Sequence, residues 1–386
     1  MKKGWQTKHL GDVAAVGAGN SAPQDEALFE DGTIPFFRTA DAGRVRFGDI
    51  AESTDYLNDK GVKGLRRFAA GTILFPKSGA STFLNHRVIL GVEGCVSSHL
   101  ATIVADEKQA HPRFLLYFLS TIEAQDLVQD HAYPSLNLPT IAGIEVHLPP
   151  LAEQQRIVGL LDEAFEGLAT AKANAEKNLQ NARALFESHL QSVFTQRGPG
   201  WVGKSLVDVC TFINGRAYKK DEMLSTGKYP LLRVGNFFTN RGWYYSDFEL
   251  DADKYCDNGD LLYAWSASFG PRVWDGGKVI YHYHIWKVLP HEKVVEKRFL
   301  LHLLEWDVDE IKKAHGTGTT MMHVSKGSME YRVVPIPPLK DQAAIVLLLD
   351  SLRKETQRLA TLYERKQAAL AALKQSLLHQ AFTGEL

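Results

Sequence analysis

One octapeptide of the chain has the spacing of a phosphate-binding loop. Gly198-Pro199-Gly200-Trp201-Val202-Gly203-Lys204-Ser205 fits the pattern GxxxxGK[ST]. That loop binds phosphate when it joins a buried strand to a helix, whose N-terminal amides then face the anion. Here the preceding segment has a helical pattern ending at Phe194, and residues 206–210 alternate like a strand. We therefore interpret the octapeptide as a linker in which Gly198 ends a helix, with a nucleotide-binding enzyme as the alternative.

Other catalytic patterns do not occur in the sequence. It has no glycine-rich dinucleotide fingerprint after a strand, no nucleophile elbow, no HExxH motif and no [DNS]PP[YFW] tetrad of the amino-methyltransferases. His282 and His284 lie two apart on a predicted strand and could share a metal ion, but such a pair without a third ligand is more often packed or simply exposed. The sequence thus predicts no catalytic residue, no cofactor and no metal site.

Composition sets further bounds. The chain is 45% hydrophobic and 23% charged, as is ordinary for a soluble globular protein. No apolar run reaches the ~18 residues of a membrane span, and residues 1–13 lack the apolar core of a secretory signal. The dispersed cysteines Cys95, Cys210 and Cys256 favour a reducing cytoplasm. Because the net charge is −1, any nucleic-acid binding must depend on local patches.

Basic, polar and aromatic residues recur in the segments predicted as loops. Arginine and lysine can contact guanine, asparagine can contact adenine, and serine, threonine and lysine can hold phosphates. Any single one of them could equally be an ordinary surface residue, so the hypothesis concerns the two sets. The DNA-binding candidates in the first half are Lys60, Lys63, Arg66, Arg67, Lys77, Ser78, Ser81, Asn85, Arg87, Tyr133, Ser135 and Asn137. Those in the second half are Arg216, Tyr218, Lys219, Lys220, Arg233, Asn236, Arg241, Ser266, Ser268, Arg272, Thr319, Thr320, His323 and Lys326.

An internal repeat supplies the elements that would position these loops. Residues 149–195 and 337–383 align without a gap at an offset of 188. In each copy apolar residues recur three and four apart over about 45 residues, which predicts one helix about 65 Å long. A proline pair begins each copy, just before its apolar stripe, and a glycine follows the copy, as is typical of helix ends. One helix cannot bury such a stripe alone, so we expect the two to pair as an antiparallel coiled coil, with a dimerisation stalk as the alternative.

The segments before the two helices repeat more loosely. Residues 229–233 resemble the predicted strand at 34–38, and residues 259–263 resemble the one at 71–75. A further helix is predicted from Pro112 to about residue 129. We therefore expect an α+β fold with a pseudo-twofold internal repeat and two long antiparallel helices. The predicted boundaries are 1–148 and 197–336 for two globular domains, and 149–196 and 337–386 for the long helices.

The starts of both helices and the end of the chain resemble a known family. Residues 149–157 read PPLAEQQRI, residues 337–342 read PPLKDQ, and residues 373–386 read LKQSLLHQAFTGEL. Together with the order domain, helix, domain, helix, these segments resemble the DNA specificity subunit of type I restriction-modification systems. The resemblance covers essentially the whole chain.

That resemblance implies a function and a set of partners. Each globular domain would be a target-recognition domain for one half of a bipartite double-stranded DNA target, and the helix pair would set the gap between the halves. The helices would dock two methyltransferase subunits and, through them, the restriction motor-nuclease subunits. The chain would be non-catalytic and cytoplasmic, without a cofactor, and the partner would methylate adenine with S-adenosylmethionine. The contacts expected on the helices are Gln154, Gln155, Ile157, Gln342 and Ile345.

The residues alone leave three other function classes open. A free-standing sequence-specific DNA-binding adaptor would recruit another defence enzyme. An enzyme that used the phosphate-loop-like octapeptide would lose its activity on Lys204→Ala. A purely structural coiled-coil protein would show no preference for any DNA sequence.

Overall fold

The chain forms two compact units in the computed structural model, which describes residues 4–239, 242–266, 269–315 and 324–386. Unit 1 comprises Met1–Ala175 and Arg365–Leu386, and unit 2 comprises Glu176–Glu364. Each unit has a large hydrophobic core of its own. Within the described residues, no helix is long and apolar enough to cross a membrane.

Unit 1 combines three sheets with short helices and the start of one long helix. Its strands are β1 Gln6–His9, β2 Ala14–Ala18, β3 Ile34–Phe37, β4 Phe47–Ile50, β5 Asp55–Leu57, β6 Arg67–Phe68, β7 Ile73–Pro76, β8 Arg87–Leu90, β9 Gly94–Val96, β10 Leu100–Ala105 and β11 Glu145–Leu148. Its helices are α1 Leu10–Val13, α2 Thr39–Val45, α3 Pro112–Leu119, α4 Leu138–Ala142 and the long α5 Leu151–Gln196, which continues into unit 2. The sheet orders are β1-β11, β2-β10-β7-β8-β4 and β5-β3-β9-β6.

Unit 2 repeats this plan. Its strands are β12 Val202–Ser205, β13 Cys210–Asn214, β14 Tyr229–Leu232, β15 Tyr244–Ser246, β16 Tyr255–Cys256, β17 Leu261–Ala264, β18 Gly270–Val273, β19 Val279–Tyr281, β20 Ile285–Pro290 and β21 Val333–Ile336. Its helices are α6 Leu206–Val209, α7 Val234–Thr239, α8 Lys297–His315, α9 Lys326–Glu330 and the long α10 Leu339–Thr383, which continues into unit 1. The sheet orders are β12-β21, β13-β20-β17-β18 and β15-β14-β19-β16, which match those of unit 1 strand for strand except at β4.

The two long helices pair antiparallel. In unit 2, Arg183 of α5 forms an ion pair with Glu364 of α10 at 2.9 Å. Three residues farther along α5, the ring of Phe186 lies 4.4 Å from the guanidinium of Arg353. Rising residue numbers on one helix therefore meet falling numbers on the other, which confirms the predicted pairing within the chain.

A phenylalanine anchors the last turns of each long helix in a core. Phe194 of α5 is fully buried in unit 2, with ring centroids 5.6 Å from Phe299 and 5.3 Å from Trp306. Its counterpart in the repeat, Phe382 of α10, lies edge-on to Phe114 at 5.3 Å in unit 1. Both copies of the repeat thus have a phenylalanine where the end of the long helix packs into the hydrophobic core of a unit.

Two short elements differ from the sequence prediction. The helix that begins at Pro112 ends at Leu119 and not near residue 129, because Ser120 and Thr121 hydroxyls donate to carbonyls of its last turn at 2.6 and 2.7 Å. The predicted strand at 206–210 is wrong over its first four residues, which form the helical turn α6. Leu206 and Val209 are three residues apart and both buried. One helical turn places residues at this spacing on the same face, toward the core.

Candidate nucleic-acid interface

In unit 1 the connection between β9 and β10, residues 97–99, is fixed by two neighbouring strand ends. Asn20, just beyond β2, accepts a hydrogen bond at its backbone carbonyl from the N–H of Ser98 at 2.7 Å. Lys77, just beyond β7, donates its backbone N–H to the carbonyl of His99 at 3.0 Å. We call this connection the clamped turn of unit 1.

Unit 2 fixes the connection between β19 and β20, residues 282–284, in the same way. The backbone carbonyl of Arg216, beyond β13, accepts from the N–H of Tyr283 at 3.0 Å. The backbone N–H of Trp265, beyond β17, donates to the carbonyl of His284 at 3.1 Å. This connection is the clamped turn of unit 2.

Both clamps depend on a glycine where two backbones approach closely. A Cβ at Gly19 would lie 2.2 Å from the carbonyl oxygen of Val96, and a Cβ at Gly215 would lie 2.3 Å from that of Tyr281. Only glycine fits at such distances. The two turns therefore have the same backbone arrangement. The turn of unit 1 has the sequence Ser-Ser-His, and that of unit 2 has the sequence His-Tyr-His.

Several predicted residues of unit 1 gather around its clamped turn. Ser78 directly follows Lys77, which clamps the turn, and it forms a backbone bridge with Ser135. The hydroxyl of Ser81 donates to the carbonyl of Ser78 at 3.0 Å. The backbone N–H of Arg66 donates to the side chain of Asn20 at 3.0 Å. The fold thus brings basic and hydroxyl side chains from four segments to one place.

Four further candidates of unit 1 are exposed. Lys60 and Lys63 lie on the connection between β5 and β6. Arg67 on β6 forms an ion pair with Glu93 at 3.3 Å, and exposed pairs of this kind contribute roughly 0–1 kcal/mol. Tyr133 is 83% exposed. All four side chains are accessible to a ligand.

The remaining three candidates of unit 1 have structural roles. Arg87 has no exposed surface, its guanidinium lies 3.5 Å from the centre of the Phe75 ring, and burial lowers its pKa to about 9. The side chain of Asn85 accepts from the backbone N–H of Ala124 at 2.9 Å. Asn137 is the N-cap of α4, accepting a backbone hydrogen bond at 2.8 Å. Because its burial is complete, we leave Arg87 out of the proposed contact set, contrary to the sequence prediction.

In unit 2 the residue that clamps the turn carries a charge of its own. The guanidinium of Arg216 pairs with Glu222 at 2.8 Å and lies 4.5 Å from the Phe248 ring. The hydrogen bonds that Arg216 donates to the carboxylate of Glu222 raise the pKa of Arg216, so the guanidinium stays charged. Lys219 and Lys220 follow on the exposed surface. A basic segment thus adjoins the clamped turn.

Three more candidates of unit 2 are partly exposed. The guanidinium of Arg233 lies 5.2 Å from the Tyr244 ring. Arg272 donates to Asp275 at 2.7 Å, and Lys326 is half-buried at the start of α9. Each keeps a cationic group at the surface.

Other candidates of unit 2 lie inside the unit. Tyr218, Asn236 and Ser266 are 9%, 4% and 4% exposed. The amide oxygen of Asn236 accepts from the backbone N–H of Arg233 at 2.6 Å and so fixes the start of α7. These three supply little contact surface, and we leave them out of the contact set as well.

Five candidates lie outside the described residues. They are Arg241, Ser268, Thr319, Thr320 and His323.

The histidine pair occupies the clamped turn of unit 2 and not a strand, contrary to the sequence prediction. The rings of His282 and His284 have centroids 4.8 Å apart. Burial first, and then the proximity of His284 and Arg233, lower the pKa of His282 to about 4, so its imidazole is neutral at physiological pH. Within the described residues, no group of three or more histidine, cysteine or acidic side chains is placed to hold a metal ion.

The glutamine of the first long helix has a structural task. Gln154 is fully buried, and its amide N–H group donates to the carbonyls of Gln109 and Pro149, both at 2.9 Å. Its amide oxygen accepts from the backbone N–H of His111 at 2.8 Å. One side chain thus joins the start of α5 to the loop that leads into α3.

The matched glutamine of the second helix does the same in unit 2. Gln342 is fully buried, donates to the carbonyls of Val294 and Pro337 at 2.9 and 3.2 Å, and accepts from the N–H of Glu296 at 2.7 Å. Ile157 is also buried, at 1% exposure. Burial removes both glutamines and Ile157 from the residues that we propose to contact a partner.

The phosphate-loop-like octapeptide lacks the context that phosphate binding needs. It follows the end of α5 and not a buried strand. Lys204 lies within β12, where it pairs with Val334 of β21. The helix that follows, α6, has a single turn. The interpretation as a connecting segment agrees with this placement.

Sequence reasoning missed the clamped turns. Ser98 and Tyr283 are not among the predicted DNA-binding candidates, and His282 and His284 are discussed there only as a possible metal pair that is more often packed or exposed. A signal existed in Gly19 and Gly215, each of which directly follows one of the equivalent strands β2 and β13. It becomes evident only when the backbone contacts are known.

Comparison with known proteins gives consistent matches. The model of the family described as "Type I restriction modification DNA specificity domain" matches residues 2–179 and 199–365. The MjaIX type I restriction enzyme specificity subunit of Methanocaldococcus jannaschii is 31% identical over 171 residues, which cover 43% of this chain and 39% of the relative. The EcoBI specificity subunit of Escherichia coli is 24% identical over 220 residues, covering 56% of this chain and 44% of the relative. The matches therefore span less than half the length of these relatives.

The fold also matches a solved structure. A chain from work on complex assembly and conformational transition of the type I R-M system superposes with a TM-score of 0.82 at 20% identity. The match covers 100% of this chain and 99% of the other. At this identity the likeness concerns the fold.

Proposed function

Because the chain belongs to the family of type I restriction modification DNA specificity domains, we propose that it is the DNA specificity subunit of a type I restriction-modification complex. In this proposal each unit reads one half of a bipartite double-stranded DNA target. The chain performs no chemistry itself and acts in the cytoplasm, where a methyltransferase partner modifies adenine at the sites that it selects.

The observation that carries this proposal is one scaffold used twice with different side chains. Apart from β4, both units have the same strand orders, and both have the same clamped turn, whereas their accessible polar residues differ. Two domains that recognise different DNA sequences need a common backbone and different surface side chains, since the backbone positions the side chains and the side chains select the bases. The proposed contact residues are Lys60, Lys63, Arg66, Arg67, Lys77, Ser78, Ser81, Tyr133 and Ser135 in unit 1, and Arg216, Lys219, Lys220, Arg233, Arg272 and Lys326 in unit 2.

We also propose that two methyltransferase subunits dock on the long helices, with restriction subunits bound through them. Gln155 is exposed on α5, and Ile345 is partly buried on α10. Leu160 and its repeat counterpart Leu348 are 41% and 57% exposed, with Leu347 beside it at 73%. Matched leucines that remain exposed on both helices support two equivalent contacts with an apolar centre.

Genome-wide mapping of methylated adenine tests the proposal. Cells that express a type I methyltransferase subunit encoded with this chain are compared with and without the chain. We expect methylation at a motif of two short words around a fixed gap, present only with the chain. A methyltransferase that binds the chain and stays active, but gains no chain-dependent motif, would favour the adaptor function instead.

The same assay tests the phosphate-loop alternative. Since Lys204 lies in a paired strand, we expect Lys204→Ala to leave the motif and the methylated fraction within about twofold of the unchanged chain. Co-purification of the methyltransferase subunit with the Lys204→Ala chain is the control for complex assembly. Loss of methylation on Lys204→Ala, with the complex still assembled, would revive a nucleotide-dependent role.

A further inference from the structure

The central residue of each clamped turn has the same backbone and a different side chain. Ser98 in unit 1 donates its N–H to the carbonyl of Asn20 at 2.7 Å. Tyr283 in unit 2 donates its N–H to the carbonyl of Arg216 at 3.0 Å. Neither residue is needed to hold its turn by its side chain, because the clamp is made by backbone atoms. The side chain at this position is therefore free to vary with the ligand.

We propose that Ser98 and Tyr283 are equivalent base-contacting positions, one in each half of the DNA target. Tyr283 would contact a base through its ring, and Ser98 would hydrogen-bond a base edge through its hydroxyl. This inference rests on the proposed DNA-recognition function. It adds that specificity differs between the two units at one shared backbone site.

The surroundings of Tyr283 favour a contact made by its ring. Its carbonyl accepts a hydrogen bond from the indole N–H of Trp265 at 2.8 Å, so the backbone is held on both sides. Its ring packs beside those of His282 and His284, with centroids 4.5 and 4.0 Å away. The side chain is nevertheless 38% exposed. An aromatic ring fixed in this way offers apolar surface at a small entropic cost on binding.

The corresponding place in unit 1 is polar. Lys77 occupies the position of Trp265, and its backbone N–H makes the matching hydrogen bond to the turn. Ser98 has a hydroxyl that can donate or accept, and serine can pair with several base edges. Nearby Arg66 and Ser78 can approach the phosphates on either side. Unit 1 thus presents hydrogen-bonding groups where unit 2 presents an aromatic surface.

Basic groups lie close to both turns. Arg216 directly clamps the turn of unit 2, and Arg233 is near enough to lower the pKa of His282. In unit 1 the adjoining cations are Arg66 and Lys77. Cationic side chains beside a base-contacting position hold the phosphate backbone and so fix the register in which the turn meets the bases.

Reciprocal substitution tests the inference in the assembled methyltransferase complex. We expect Tyr283→Ser to reduce discrimination at one or two base pairs of a single half-site by about tenfold, and to leave the other half-site unchanged. We expect Ser98→Tyr to do the same in the opposite half-site. Tyr283→Phe keeps the ring and should retain the motif, which separates the ring from the hydroxyl. The complex methylates a DNA library with randomised half-sites, and sequencing then identifies which half-site sequences carry methylated adenine.

The outcomes separate this inference from the function on which it rests. A wild-type complex without any split motif contradicts the proposed function. A split motif that stays unchanged in both Tyr283→Ser and Ser98→Tyr, with the complex intact, overturns the inference alone. Equal weakening of both half-sites also overturns it, since it indicates a general loss of folding. If Tyr283→Ser unfolds unit 2, Tyr283→Leu is used instead, because it keeps apolar volume without the ring. Tyr283→Leu should then reduce discrimination in the same single half-site, and an unchanged motif would overturn the inference.

Discussion

Replacement of Gln342 by alanine is expected to destabilise unit 2 by about 2–4 kcal/mol. The substitution leaves two carbonyls and one N–H without their partner at a site with no exposed surface. Each buried backbone group that loses its hydrogen bond costs roughly 1–3 kcal/mol, partly offset where water enters. Urea unfolding followed by tryptophan fluorescence measures this change, because all tryptophans except Trp5 lie in unit 2.

The chain offers a matched control for this experiment. Gln155→Ala removes an exposed glutamine from the first turns of α5 and should change the free energy of unfolding by less than about 0.5 kcal/mol. Gln154→Ala should destabilise unit 1 as Gln342→Ala destabilises unit 2, and hydrogen exchange of α3 and β10 reports that unit. If Gln342→Ala proves as mild as Gln155→Ala, the structural role of the matched glutamines is refuted.

These glutamines show how far a repeat can be interpreted from sequence. Gln154 and Gln342 match in both copies, and the family resemblance implies that they contact a partner. They match because the same three backbone groups must be satisfied twice, once in each unit. Residues that are equal in both copies and buried thus serve the fold in this chain. Residues that differ at equal backbone positions, such as Ser98 and Tyr283, are the better candidates for recognition.

The long helices were predictable, whereas the clamped turns were not. A stripe of apolar residues over about 45 positions is a local signal that needs no knowledge of tertiary structure. The clamps join residues far apart in sequence, such as Asn20 with Ser98, through backbone atoms of any residue type. Burial could not be predicted from residue type either. Arginine is a common DNA-contacting residue, but Arg87 packs on Phe75 in the core. Residue type therefore suggested the chemistry, and only the fold could show which groups are accessible.

Truncation of Phe194 to alanine is expected to cost about 3–5 kcal/mol in unit 2. Its fully buried ring contacts Trp201, Phe299 and Trp306, with centroids 5.3–6.0 Å away, so its removal leaves a cavity among rigid rings that cannot close. Phe194→Leu retains most of the volume and should cost about 1–2 kcal/mol. Tryptophan fluorescence during urea unfolding measures both substitutions.

Leu185→Ala provides the control on the same helix. Leu185 is 42% exposed, so its truncation removes little buried surface and should cost less than about 1 kcal/mol. If Phe194→Ala and Leu185→Ala cost the same, the end of α5 is not part of the core of unit 2. The expected ranking is instead Phe194→Ala, then Phe194→Leu, then Leu185→Ala. That order would show that the end of α5 is held by a packed aromatic core, and that helix propensity contributes far less.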